Sequence, residues 1–325
     1  MRSPSHNNAT RLFVLIVGTC DLNTAMPHRT TTPPQPYTEK SCRAIVLGLT
    51  LCIVVGTAAG LPAASPARSP RGPIEFDKVS EFSHIRVRRL KTVRTLIFVR
   101  DNGDEAEESM VDVKKPYVLL EPYSKYMFTS YLFQPKPERV LIIGLGGGAM
   151  VHFLQHYDPQ LRVDAVEIDP AVVSVADKYF ECRSGGNINI LTADGFKFLE
   201  TTESRYDVIY MDAFLKPTAE TDPTGLALRM KTEQFYRQIQ SKLRPDGLVV
   251  FNLNLHQTTN DDLQTIRRVF AQAYVFRPVT PNYVVVASSA AERLSPAELK
   301  VRARDTDGRF HATFSYQELL KRLLP

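Results

Sequence analysis

Arg139-Val-Leu-Ile-Ile-Gly-Leu-Gly-Gly-Gly148 decides the fold: it is an apolar run that stops abruptly in glycines. A buried parallel strand delivers backbone to a ligand in this way, because glycine adopts positive φ and lets a ligand approach the main chain. Ala149 to Tyr157 follows with helical periodicity, and the next strand-like run, Arg162 to Ile168, ends on Glu167, with Asp169 just beyond. Strand, glycine turn, helix and strand form a nucleotide-binding β-α-β unit whose acid is placed for a ribose. The loop alone does not choose the ligand. Gly144-Leu-Gly146-Gly-Gly-Ala149 also fits a dinucleotide fingerprint, and Glu167, 23 residues after Gly144, suits either case.

Two further strands narrow the choice. Ile188 to Ala193 runs into Asp194-Gly195, and Tyr206 to Met211 runs into Asp212, so acids stand at the carboxyl ends of three successive strands. Open α/β sheets bind ligands at that edge. The set suits an adenosyl group: Glu167 accepts from the ribose hydroxyls, Asp194 from the adenine amino group, and Gly144, Gly146, Gly148 and Gly195 leave room for the rest. No pyrophosphate is implied.

Gly144-Leu-Gly-Gly-Gly148, Asp164-Ala-Val-Glu-Ile-Asp-Pro170, Ala193-Asp-Gly195, Tyr206-Asp-Val-Ile209 and Leu243-Arg-Pro-Asp-Gly247 together resemble the spermidine synthase-like branch of class I S-adenosylmethionine-dependent transferases. The wording is also similar to the carboxyl-terminal domain of methyltransferase-like proteins that modify elongation factor. The resemblance covers roughly residues 80 to 290. It implies a Rossmann-like α/β sheet of the class I methyltransferase type, ending in an antiparallel hairpin and preceded by a small β cap. It also implies an adenosyl-sulfonium donor, no metal, and dimers formed through the cap.

The departures shape the expected chemistry. Aminopropyltransferases of this branch read Gly-Gly-Gly-Asp-Gly, and their aspartate holds the amine of decarboxylated S-adenosylmethionine; here that position is Ala149. They carry Asp-Ser-Ser-Asp after the fourth strand, whereas this chain has Asp212-Ala-Phe-Leu215, keeping the first acid only. Their histidine position corresponds to Ser130. These departures favour S-adenosylmethionine itself and methyl transfer to an amine of a protein or small molecule. The alternatives are aminopropyl transfer from the decarboxylated donor, and an inactive adenosyl-binding protein. Asp212 is the expected catalytic residue, orienting or deprotonating the acceptor nitrogen. Tyr123, Tyr126, Asn252 and Asn254 are the expected acceptor pocket.

Composition divides the chain. Residues 1–74 hold 9 of the 22 prolines and seven basic against two acidic residues, leaving 33 of each sign in the remainder. Such a segment lacks the means to pack a core, and the balanced remainder lacks the basic footprint of a nucleic-acid binder. Within it, residues 44–64 form an apolar, small-residue run after Lys40 and Arg43. This reads as a signal peptide or membrane anchor, hence export or membrane attachment, unless the start codon is misassigned and the protein is cytoplasmic. Three of the four cysteines lie there, so Cys182 is alone in the rest and no disulfide framework or cysteine zinc site is available.

After the 1–74 segment come a β cap (75–116), an S-adenosylmethionine-binding α/β domain (117–290) and a helical tail (291–325). The cap is read as three strands, His84 to Leu90, Thr95 to Arg100 and Ser109 to Val113. Its basic run, Arg86 to Arg94, is expected to pair across strands with the six acids of Asp101 to Asp112. Ala273 to Val279 and Asn282 to Ala287 are joined by Thr280-Pro281, too short for a helical crossover, and are predicted to pair antiparallel. His152 and His156 stand at metal-like spacing, with no third ligand nearby in sequence.

Overall fold

The computed structural model describes residues 71–325. The expectations for the signal or anchor segment, its 44–64 run and Cys20, Cys42 and Cys52 fall outside the described residues. Among the described residues, no helix is long and apolar enough to cross a membrane.

The cap is an antiparallel meander of four strands, β1 (Ile74–Val79), β2 (His84–Leu90), β3 (Val93–Val99) and β4 (Glu105–Asp112). One strand more is present than the sequence suggested. β1 follows a proline and is largely exposed, so it carries no alternating apolar signature. β4 begins at Glu105, four residues before the expected start. Ile85, Val87, Leu96 and Val111 form the cap's buried face and pack on Val172, Val175 and Phe180 of helix α3 (Pro170–Phe180). Each such side chain contributes roughly 1.5–3 kcal/mol on burial. The basic run is paired, with partners that differ from expectation. Arg86 and Arg88 meet Glu105, but Arg86 also meets Asp77, and Arg89 and Arg94 meet Glu75, both acids of β1.

The second sheet has seven strands in the order β10-β11-β9-β8-β5-β6-β7. These are β5 (Arg139–Ile143), β6 (Arg162–Glu167), β7 (Ile188–Thr192), β8 (Tyr206–Met211), β9 (Leu243–Asn254), β10 (Gln272–Phe276) and β11 (Asn282–Ser288). β5 to β9 run parallel, while β11 is antiparallel to both β9 and β10, as the short Thr280-Pro281 link requires. Parallel strands are covered on both faces: Val140 and Ile142 of β5 join one core, Leu141 and Ile143 the other. Asp164, inside β6, is buried but satisfied, accepting from Arg139, Asn189 and the Tyr206 hydroxyl.

α2 (Ala149–Tyr157) packs against β4 of the cap, and α4 (Gly195–Thr201) lies along β6. The tail opens with α7 (Pro296–Phe310), whose start is fixed by a reciprocal capping box between Ser295 and Glu298, and continues into α8 (Tyr316–Leu320). Beyond α8 the chain pairs with β10, Leu324 N–H donating to Val275 O at 2.8 Å, which covers the edge of the sheet.

Candidate active site

β5 and β8 are neighbours at the point where strand order reverses, and a crevice opens beyond their carboxyl ends. Gly144 follows β5 and Asp212 follows β8. A Cβ on Gly144 would stand 2.1 Å from the Asp212 carbonyl oxygen, and its φ of +96° is open to glycine alone without strain. The crevice leads into a cavity of about 360 Å³, within the range of small-molecule sites.

Where the sequence places the nucleoside, Glu167 ends β6 with both carboxylate oxygens engaged by backbone: Leu145 N–H donates to Oε2 and Asp169 N–H to Oε1, each at 3.0 Å. Burial pushes its pKa up, and these backbone donors hold it down. Asp194 caps α4, accepting from Phe196 N–H at 2.8 Å, and its other oxygen takes a bond from Arg229 at 2.9 Å. The Arg229 guanidinium lies 3.6 Å over the Phe196 ring, so a cation–π plate borders the subsite expected for adenine. Gly195 lines the cavity, where a Cβ would come 2.9 Å from Ile143 Cγ2. Gly146 lines it too. Gly148 stands apart: at φ +75° its Cβ would lie 2.2 Å from Cys182 Sγ, so this glycine seats the start of α2 against that cysteine.

The opposite end of the cavity is acidic. Asp212 is half-buried and held at both oxygens, Asn252 Nδ2 donating to Oδ1 at 2.8 Å and the Tyr123 hydroxyl to Oδ2 at 3.2 Å. Tyr123 comes from α1 (Pro122–Met127) and Asn252 from β9. A polar relay fixes the Asn252 amide, because its Oδ1 accepts from Asn282 Nδ2 at 2.8 Å and Asn282 Oδ1 accepts from the Thr280 hydroxyl at 2.7 Å. Burial raises the Asp212 pKa despite the two donors. Asn254 also lines the cavity. Tyr126 does not line it; it is buried, its ring 6.3 Å from that of Phe276. Ser130 bonds the Tyr210 hydroxyl at 2.8 Å within the core.

Two further carboxyls enter this end, Glu108 of β4 and Glu121 just before α1. Burial, then repulsion by Asp212, pushes each up to about 8. No ion pair to Glu108, Glu121 or Asp212 occurs among the described residues; the charge of Arg100 reaches Glu108 without forming one. Sequence reasoning missed both glutamates. Glu108 was counted among the cross-strand acids, and Glu121 has no neighbour in sequence that marks it.

The segment between β8 and α5 (Glu233–Ser241) walls the cavity with Phe214, Leu215, Arg229 and Met230. Its base is tied by a buried cluster in which Lys231 Nζ reaches Asp222 and Asp262 at 2.8 Å each and His256 at 3.0 Å. The two histidines at metal-like spacing do other things. His152 Nε2 bonds the Phe180 carbonyl oxygen at 2.8 Å, and His156 stacks on Tyr117 with ring centres 3.8 Å apart. No group of metal ligands forms among the described residues.

The chain belongs to the spermine/spermidine synthase family, whose spermine/spermidine synthase domain matches residues 122–292. It is a transferase of that family with a fold that binds S-adenosylmethionine-related ligands. A polyamine aminopropyltransferase of Vibrio vulnificus is 29% identical over 217 residues, 66% of this chain and 70% of that protein. One from Chromobacterium violaceum is 29% identical over 226 residues, 68% of this chain and 83% of the other. Among solved structures, Thermotoga maritima spermidine synthase matches with a TM-score of 0.57 and 20% identity, covering 78% of this chain and 84% of that one. Human methyltransferase-like protein 13 in complex with SAH matches with a TM-score of 0.55 and 24% identity, over 60% of this chain and 95% of that one. These two share the fold.

The curated relatives overturn methyl transfer, the activity that Ala149 and the missing second acid had favoured, since they are polyamine aminopropyltransferases. The physical reason is local. The loop and the Asp212-Ala-Phe-Leu215 turn do not hold all the acid of this cavity: Glu108 of the cap and Glu121 before α1 line it as well.

Proposed function

We propose that this protein transfers the aminopropyl group of decarboxylated S-adenosylmethionine to a primary amine of an aliphatic diamine or polyamine. The observation that carries this reading is the convergence of Asp212, Glu108 and Glu121 on one largely apolar cavity without a paired cation. Uncompensated carboxyls in an enclosed site are costly, and their natural complement is a ligand with several positive charges. A donor bearing a sulfonium and an ammonium, with an amine acceptor beside it, meets that need.

The donor brings a carbon already activated by the positive sulfur. Glu167 is placed to hold the ribose, Asp194 and the Arg229–Phe196 plate border the base, and Gly144 and Gly146 keep the crevice open. Asp212, aimed by Asn252 and Tyr123, orients the acceptor amine and takes its proton as nitrogen displaces sulfur. Its raised pKa suits a proton acceptor better than an ordinary aspartate would. The new bond joins nitrogen to the aminopropyl carbon, the carbon–sulfur bond breaks, and its electron pair leaves with methylthioadenosine.

The test is mass spectrometry of acceptors incubated with the full chain and the decarboxylated donor. A diamine that gains one aminopropyl group, with equal release of methylthioadenosine, is the expected result. A panel of diamines and polyamines left unchanged would overturn the reading.

A further inference from the structure

We propose that Glu108, a residue of the cap strand, receives the donor's terminal ammonium in place of the loop aspartate that Ala149 lacks, and so selects the decarboxylated donor. This rests on the aminopropyl-transfer reading above.

The backbone turns this side chain inward. Along the β3–β4 ladder Leu96 faces Ser109 and Ile97 faces Glu107, so Glu108 is the extra residue of a β-bulge. Bulges re-aim side chains, and they recur beside active sites. Counted back from buried Val111 and Ser109, strict alternation would put Glu108 on the opposite face; with the bulge it lines the cavity, whose lining also includes Glu107, the partner of Arg71.

The same segment lies on the glycine loop. A Cβ on Gly147 would stand 3.0 Å from Ser109 Oγ, and one on Gly146 would stand 3.3 Å from Ser109 Cβ and 3.9 Å from the Glu108 carbonyl oxygen. β4 also packs against α2, whose first residue, Ala149, shares the cavity wall with Glu108. The acid missing from the loop is therefore matched by one arriving from the strand above it. Glu108 makes no hydrogen bond or ion pair with the described residues; Asp212 repels it, and the charge of Arg100 reaches it without pairing. A carboxyl so placed has a use if a ligand supplies the cation.

Donor chemistry makes the site selective. After decarboxylation the donor's side chain ends in an ammonium alone, which complements Glu108. Its carboxylated parent carries a carboxylate on the same carbon as the ammonium and would press that charge toward Glu108, with Glu121 and Asp212 behind it. Like-charge juxtaposition is an effective means of rejecting the wrong ligand.

The experiment is calorimetric affinity of the full chain, as wild type and as Glu108→Gln, for the decarboxylated donor, S-adenosylmethionine and methylthioadenosine. Methylthioadenosine has the adenosyl group but no ammonium arm. Wild type is expected to prefer the decarboxylated donor over its parent by about tenfold or more. Glu108→Gln should lose most of that preference while binding methylthioadenosine within about twofold of wild type. Adding Ala149→Asp to that variant should restore the preference. An unchanged preference in Glu108→Gln, equal loss for all three ligands, or failure of Ala149→Asp to restore it while methylthioadenosine still binds would overturn the assignment. A wild type that prefers S-adenosylmethionine would instead refute the aminopropyl-transfer reading itself.

Discussion

Glu121→Gln should stabilise the ligand-free protein by an amount that grows from about pH 5 and is complete only at alkaline pH. In the folded chain the Glu121 carboxyl is pushed up from 4.5 to about 8, first by burial and then by Asp212. A group whose folded pKa lies above its unfolded value carries no penalty below the unfolded value. Its cost grows as pH rises through that interval, and is complete above the folded value. The interval from 4.5 to about 8 corresponds to about 4–5 kcal/mol for a carboxyl charged in both states. Water entering the cavity screens part of this, leaving about 2 kcal/mol. Glutamine keeps the shape and removes the charge. Ligand-free thermal unfolding should therefore give equal midpoints for wild type and variant near pH 5, and a midpoint higher by about 4–8 °C for the variant near pH 9. A difference independent of pH, or a wild type more stable at the alkaline end, would refute the electrostatic description of the cavity.

Asp212→Asn keeps the shape held by Asn252 and Tyr123 but removes the proton acceptor, so turnover should fall by about 10²–10⁴ with methylthioadenosine affinity little changed, as read by kinetics alongside calorimetry. Gly144→Ala places a Cβ 2.1 Å from the Asp212 carbonyl oxygen at a φ of +96°. It should cost roughly 1–3 kcal/mol in denaturant unfolding and abolish adenosyl binding. Lys231→Met leaves Asp222 and Asp262 facing each other without their shared cation. About 3–5 kcal/mol should be lost, much of it regained when both aspartates are also made asparagine.

The central sheet was legible because its signals are local. Arg139 to Gly148, the acids closing β6 and β8, and the two-residue link between β10 and β11 each state a strand, an end or a direction within a few residues. β1 was not legible, since exposed Ile74 and Val79 beside a proline give no period to read. At the site, Gly144, Glu167, Asp194, Gly195 and Asp212 gather at one crevice, while Gly148 sits on Cys182 and Tyr126 in the core. Strict alternation counted from buried Val111 and Ser109 would turn Glu108 to the opposite face; a single bulged residue reverses that, and no composition or spacing announces it. Arg229 and Asn282 reach the site through tertiary contacts with Phe196 and Asn252, which sequence distance conceals.

The most direct test of aminopropyl transfer is to give the full chain both donors at equal concentration with a diamine and identify the nucleoside released. The cavity's uncompensated carboxyls predict methylthioadenosine, with the acceptor lengthened by an aminopropyl group. Release of S-adenosylhomocysteine with a methylated acceptor would contradict the account.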